Sequence, residues 1–526
     1  MEIAIQLKGM VYMKKGMLRK WVMAAVVFAF VTILPLQVCA KEQEYAGGQG
    51  FAPWDADVQK ITKLNRPGHD PDLDMEAMEN EFAKRLYPFG SLVHEPVPHP
   101  ETLGFGLPKA IIPKQEALED VEHLFSLLKY GYAGYEYFGG DERFQMAKQR
   151  MLEELQTEFP NQFPSVALDN LIYDHLHFIN DGHLMIGNHR YLRPQTMYMN
   201  FDYEFFKDDN GYYTTTNGLQ EYVELVNGES VDPYLWSSLN VTGEIVYRIG
   251  RLADERSKAA NQERLEISLC SNEARRQVSL FLEKEARPRQ IPDGSYRRYE
   301  QDGIPVIDLQ QFRFVGPYLG QFLDDALELK DEELFIIDLR FNPGGLSNNI
   351  EHWLQRITGD WVEDPAQMWV QLRTNTTREL ARYSKEGEPR WMIDALFPVR
   401  ETGWTRIRPS SGSAPIANPT KIVVLMDSWS ASAGEIFIRR LRQIENVVFI
   451  GTNTSGTLII GDPIKGKLPN SYIGTHWGTA LKLEVESGKF VDREGVGYLP
   501  DFWVQSEDAL DLALKFIHKY GMSADN

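Results

Sequence analysis

Leu334-Phe335-Ile336-Ile337-Asp338-Leu339-Arg340-Phe341-Asn342-Pro343-Gly344-Gly345 is the stretch that decides the fold. Its apolar run, Leu334–Leu339, is short and lacks a polar face, the pattern of a strand buried on both sides. The run ends in a Pro-Gly-Gly turn. Glycines there let backbone N–H groups approach a ligand with no Cβ in the way. A second buried run, Lys421–Met426, leads through Ser430-Ala431-Ser432-Ala433-Gly434-Glu435 into a helical pattern over Ala433–Gln443, followed by a strand at Val447–Ile450. Upstream lie a strand at Ile304–Leu309 and a helix at Leu319–Leu329. This alternation over residues 300–520 predicts an α/β core whose sheet is at least partly parallel and covered by helices.

Working towards the N-terminus, residues 115–180 carry helical spacing. Leu118, Val121, Leu124, Leu127 and Leu128 recur on one face, and Glu142–Phe159 and Ser165–Asn180 follow the same period. The helical pattern stops at Asp181-Gly182-His183 and a strand-like segment follows. Residues 190–300 turn often. They read as a strand and tight turn over Tyr222–Val231, then polar helical material to about Arg287. Residues 41–112 are rich in Pro, His and Gly, with one short helix near Met75–Leu86. His94 and His99 lie in that Pro-rich stretch and read as surface loop rather than metal ligands. The chain therefore divides into 1–40, 41–112, 113–190, 191–298 and 299–526.

Residues 1–40 have the order of an export signal. Lys14, Lys15, Arg19 and Lys20 precede the apolar run Trp21–Leu36, and Val38-Cys39-Ala40 offers small residues for cleavage after Ala40. An uncleaved anchor and lipidation at Cys39 are the two alternatives that would tether the chain to a membrane. The whole chain of 526 residues carries 75 acidic against 55 basic residues, a net charge of −20. Loss of 1–40 removes five basic residues and one acidic, leaving −24. Such a chain lacks the basic face a nucleic-acid binder needs. Its two cysteines cannot form a disulfide framework, and after cleavage Cys270 is the sole thiol.

Three points suit acyl-transfer chemistry. The Gly344-Gly345 turn can present N–H groups to an oxyanion. A serine at the start of the Ala433–Gln443 helix sits at the positive end of its dipole, although Ser428, Ser430 and Ser432 all compete for that place. His183, held at a glycine turn, is a neutral base near pH 7. By contrast, His175 and His177 are two apart on a helix and point to different faces, so they make no metal pair.

Taken together, Asp338–Gly345, Ser430–Glu435, Asp181-Gly182-His183 and Glu494-Gly495-Val496-Gly497-Tyr498-Leu499-Pro500-Asp501 resemble the tail-specific (C-terminal processing) serine peptidases and the tricorn core protease. The resemblance spans roughly residues 115–510. It implies an α/β, ClpP/crotonase-like peptidase core with an N-terminal helical bundle. It also implies a middle mixed α/β insert at 191–298, read as a degenerate PDZ-like domain. It puts the nucleophile on Ser432 and the oxyanion donors on Ala433 and on Gly344 or Gly345. In the tail-specific branch the base is a lysine, but its position here is Thr457, with Lys465 and Lys467 out of register. The tricorn-like branch, which the chain resembles more, uses a histidine and a glutamate, and these fall on His183 and Glu494. That branch has a serine before the histidine where this chain has Gly182, so ring orientation would rest on Glu494 and backbone. The implied function is an exported serine peptidase that hydrolyses peptide bonds in polypeptides, with no cofactor and no metal. Rival readings are an inactive peptide- or lipid-binding protein on the same fold, motivated by Gly182 and Thr457, and a small-ester acyl hydrolase.

Overall fold

The computed structural model describes residues 54–521 except 65, 67–69, 91, 93–94, 96–105, 255–263, 273, 286–295, 314–316 and 385–388. The export segment 1–40, Cys39, His94 and His99 lie outside the described residues.

The apolar runs of the core become the middle of a ten-stranded sheet. Phe502–Trp503, Val447–Gly451, Lys421–Met426, Leu334–Asp338 and Ile304–Leu309 lie side by side in that order, all parallel. Antiparallel strands extend both edges: Tyr296–Gln301 beyond Ile304–Leu309, and Ile245–Asp254, Gln195–Met199 and Glu283–Lys284 beyond Leu235–Leu239. Strand periodicity sorts the side chains. Phe335, Ile337, Ile422, Val424 and Met426 face the helices Tyr318–Leu329, Ile350–Thr358 and Ala433–Leu441. Leu334, Ile336, Val423 and Leu425 face the other way, onto Ala56–Leu64 and Ala509–Tyr520. Because both faces are covered, the runs show no polar alternation. Each such side chain, removed from water, contributes about 1.5–3 kcal/mol.

The helical lead-in forms as the spacing predicts, as Lys114–Gly131, Gly140–Glu158 and Ser165–Leu176. These helices pack on a second sheet built around the long strand Gly474–Glu486, which pairs with Gln367–Gln371, Ile460–Lys467 and Met185–Ile186. The short helix expected near Met75–Leu86 spans Met75–Ala83.

The polar helical material expected up to Arg287 is instead strand. Arg275–Phe281, Arg264–Cys270, Leu219–Val226, Gly211–Thr216 and Phe206–Asp208 form one antiparallel sheet. In Arg264–Cys270 the charged residues alternate with Leu265, Ile267 and Leu269, which are all buried. A period of two, not the charge content, governs that segment. Cys270 ends this strand as a half-buried free thiol.

Candidate active site

The site sits where the two sheets meet. After the strand Lys421–Met426 the chain turns tightly. Asp427 is buried and accepts from the backbone of Phe341 (3.1 Å), Trp429 (3.0 Å) and Ser430 (3.2 Å). Two of the three competing serines are used in this turn. Ser430 is fully buried and donates to the Leu339 carbonyl, and Ser428 donates to Glu285. Ser432 alone meets the histidine: His183 Nε2 lies 3.2 Å from Ser432 Oγ. Ser432 has φ +53° and ψ −114° at the start of helix Ala433–Leu441. That left-handed backbone costs a non-glycine residue about 1–3 kcal/mol and persists only where surroundings enforce it.

The enforcing group is Glu435, a fully buried residue. Its Oε2 accepts from the Ser432 N–H (3.0 Å) and the Thr457 N–H (2.8 Å). Its Oε1 accepts from Thr454 Oγ1 (2.6 Å) and the Gly456 N–H (2.7 Å). Burial pushes its pKa up to about 7 against the pull of these donors. Sequence reasoning had placed Glu435 only as a motif letter. The helix-capping spacing Ser432-Ala433-Gly434-Glu435 was the available signal.

The Gly-Gly turn docks against this loop. The Asn342 carbonyl accepts from the Ala431 N–H (2.8 Å), and the Asn342 side chain accepts from the Gly344 N–H (2.9 Å). Gly344 therefore has its N–H in use. Among the described residues, the Gly345 and Ala433 N–H groups donate to no protein acceptor. Gly344 must still be glycine. At φ +97°, a Cβ would meet the Ala431 carbonyl and the Ala433 nitrogen at 2.8 Å and Ser432 Cβ at 2.9 Å.

His183 arrives on the lead-in side, between helix Ser165–Leu176 and strand Met185–Ile186. Burial pushes its pKa down to about 4, with nearby His476 adding to the effect and the Ile460 carbonyl opposing it. Among the described residues its buried Nδ1 finds no partner at normal hydrogen-bond geometry. Glu494 meets the backbone rather than the ring. Oε1 accepts from the Gly182 N–H (2.7 Å), and Oε2 from the N–H groups of Leu458 (2.9 Å) and Ile459 (2.8 Å). Asp181 adds a second carboxylate to the turn, accepting from the His183 N–H (2.7 Å) and the Tyr132 hydroxyl (2.8 Å). Burial raises the pKa of both, and Asp181 raises that of Glu494 further. The pair carries fewer than two charges near neutrality, because like charges in low dielectric disfavour full ionisation.

Lys465 and Lys467 lie on the strand Ile460–Lys467 of the second sheet, beyond the Thr457 position. Lys465 stands cross-strand from His476, and Lys467 lies over the Tyr472 ring. His175 binds Glu154 and His177 its own helix end, so the two do not converge. Among the described residues no cluster of three or more His, Cys, Asp or Glu side chains could hold a metal ion. None of the described helices is long and apolar enough to cross a membrane.

Residues 303–495 match the model of Peptidase family S41. Solved structures to which the chain is similar include mature CPAF complexed with lactacystin, at 15% identity over 77% of this chain and 98% of that chain, TM-score 0.41. They include the photosystem II D1 C-terminal processing protease, at 12% identity over 74% and 93%, TM-score 0.33. The tricorn protease is similar at 13% identity over 77% of this chain and 37% of that chain, TM-score 0.31. The parallel strands Leu334–Asp338 and Lys421–Met426, whose ends carry the Gly-Gly turn and the Ser432 turn, lie within the residues that match peptidase family S41, so residues 303–495 are similar to a peptidase domain of that family.

Proposed function

We propose that this chain is an exported serine peptidase that cleaves peptide bonds in polypeptides with Ser432 as nucleophile and His183 as general base. The observation that carries the reading is the 3.2 Å approach of His183 Nε2 to Ser432 Oγ at a strained helix start. A ring whose pKa is about 4 is neutral at physiological pH and free to accept a proton. Ser432 Oγ attacks the scissile carbonyl as Nε2 takes its proton. The N–H groups of Gly345 and Ala433, which have no acceptor among the described residues, receive the oxyanion, while Gly344 shapes the turn. His183 then returns the proton to the leaving amine, and water hydrolyses the acyl-enzyme by the same route. Glu494 positions the ring from behind, through the Gly182 N–H. The charge that Glu494 shares with Asp181 favours the transient imidazolium. No step requires a cofactor.

The test is peptide hydrolysis by Ser432→Ala, His183→Ala and the double variant. Each single change is expected to lower kcat by about 10⁴-fold or more, and the double to be little worse, because the residues act as a unit. Wild-type turnover in either single variant refutes the mechanism. Export is checked separately by N-terminal sequencing of the mature protein, expected to begin at Lys41. A modified Cys39 or an intact leader would replace cleavage by a tether.

A further inference from the structure

Residues 452–459 cross from the strand Val447–Gly451 of the parallel sheet to the strand Ile460–Lys467 of the second sheet. Two buried carboxylates fasten this crossing. Glu435 takes the N–H groups of Gly456 and Thr457, and Glu494 takes those of Leu458 and Ile459. Each carboxylate also holds one side of the site, Glu435 the Ser432 N–H and Glu494 the Gly182 N–H. Four successive N–H groups are thus anchored between nucleophile and base.

Thr457 lies in the middle of this crossing and packs directly on Gly182. A Cβ at Gly182 would meet Thr457 Oγ1 at 2.4 Å, Cγ2 at 2.7 Å and Cβ at 2.9 Å. Turning the Thr457 side chain would exchange its substituents but leave its Cβ in place. Its backbone cannot retreat without giving up the bond to Glu435. Its hydroxyl lies 3.0 Å from Ser455 Oγ, which holds the rotamer. The two positions are therefore complementary, a missing side chain at 182 and a β-branched one at 457.

We infer that Thr457 is a positioning residue for His183: it packs against Gly182 and sets the height of the Asp181-Gly182-His183 turn over Ser432. The inference rests on the Ser432–His183 reading. A shift of the turn by about 1 Å would cost about 10²-fold in rate.

The experiment compares Gly182→Ala, Thr457→Gly and the double variant, with Gly182→Ala/Thr457→Ala as a graded case because an alanine keeps the Cβ at 2.9 Å. Gly182→Ala is expected to lower kcat by about 10²-fold with KM changed less than about threefold. Adding Thr457→Gly is expected to return kcat to within about tenfold of Thr457→Gly alone, and adding Thr457→Ala to return only part of the loss. A structural loss alone would not be rescued by cutting away a second side chain. Wild-type kcat in Gly182→Ala, or a folded double variant with no recovery, overturns the inference. The imidazole resonances of isotope-labelled His183 provide a readout that does not need turnover. They should move in Gly182→Ala and return in the double variant. Unmoved resonances overturn the positioning role even if hydrolysis has vanished. Hydrolysis surviving Ser432→Ala would instead refute the catalytic reading, leaving these resonances to judge the packing.

Discussion

Glu435→Gln tests how Ser432 is held. Glutamine keeps the shape of glutamate but replaces one acceptor oxygen by an NH₂ group with no lone pair. With the amide nitrogen in the Oε1 place, it faces Thr454 Oγ1 and the Gly456 N–H. The Thr454 hydroxyl already accepts from the Tyr498 N–H at 2.8 Å, and it has a second lone pair with which to accept from the amide. The Gly456 N–H is then an orphan that cannot turn, a cost of about 1–3 kcal/mol, whereas the Thr454 hydroxyl, displaced as a donor, can still rotate about its C–O bond. The opposite orientation strands the N–H groups of Ser432 and Thr457 together, about 2–6 kcal/mol. The first orientation wins, so a loss of about 1–3 kcal/mol is expected in urea unfolding at pH 5. Because the carbonyl oxygen still holds Ser432 and Thr457, kcat should fall by less than about tenfold. The pH dependence has a definite sign. The folded pKa of Glu435 is raised from 4.5 to about 7, so its favourable contribution is complete below pH 4.5 and shrinks as pH rises to about 7. The stability gap between wild type and Glu435→Gln should narrow over that window. Equal stability at pH 5, or a gap that widens with pH, would refute this account of the carboxylate.

The acid limb of kcat/KM should fall near pH 4 rather than 6.5, since burial depresses His183, and a limb at 6.5 would place the ring in water. The same shift predicts that stability declines as pH drops from 6.5 through about 4, because the unfolded chain binds the proton first. Gly344→Ala should lose at least about 10²-fold in kcat, since its Cβ would push on Ala431, Ser432 and Ala433 together. Asp364 bridges Arg439 (2.6 Å) and Arg440 (3.1 Å), and Arg439 is 2% exposed. Burial opposes ionisation of Asp364, but the charges of Arg439, Lys482 and Arg440 prevail and hold its pKa well below the carboxylate range. Asp364→Asn should therefore cost about 3–5 kcal/mol by denaturant titration at pH 7. In the wild type that contribution is present above the ordinary pKa and lost as pH falls.

The core was legible because its strands are buried on both faces. Leu334–Ile337 and Ile422–Met426 are unbroken apolar runs, as strands covered on both faces by helices require. The lead-in helices were legible from a one-sided apolar stripe. Charge misled at Arg264–Cys270, where the alternation of Leu265, Ile267 and Leu269 was the better guide. The long strand Gly474–Glu486 gave little warning. It pairs with Gln367–Gln371 and Met185–Ile186 and packs on a helical layer, all distant in sequence.

The chemical residue types at the site, Ser432, His183, Glu494 and the glycine pair, stand in local motifs and could be named from the chain alone. Tertiary structure decided what each of them touches. It separated Ser432 from Ser428 and Ser430, because only a folded turn shows which hydroxyl faces outward. It directed Glu494 to the backbone of Gly182 instead of the imidazole, and it brought Thr457 against Gly182 across 275 residues of sequence. Spacing along a strand or helix fixes a side chain's local direction. Whether two such directions converge depends on how the sheets carrying them pack, and no local pattern records that.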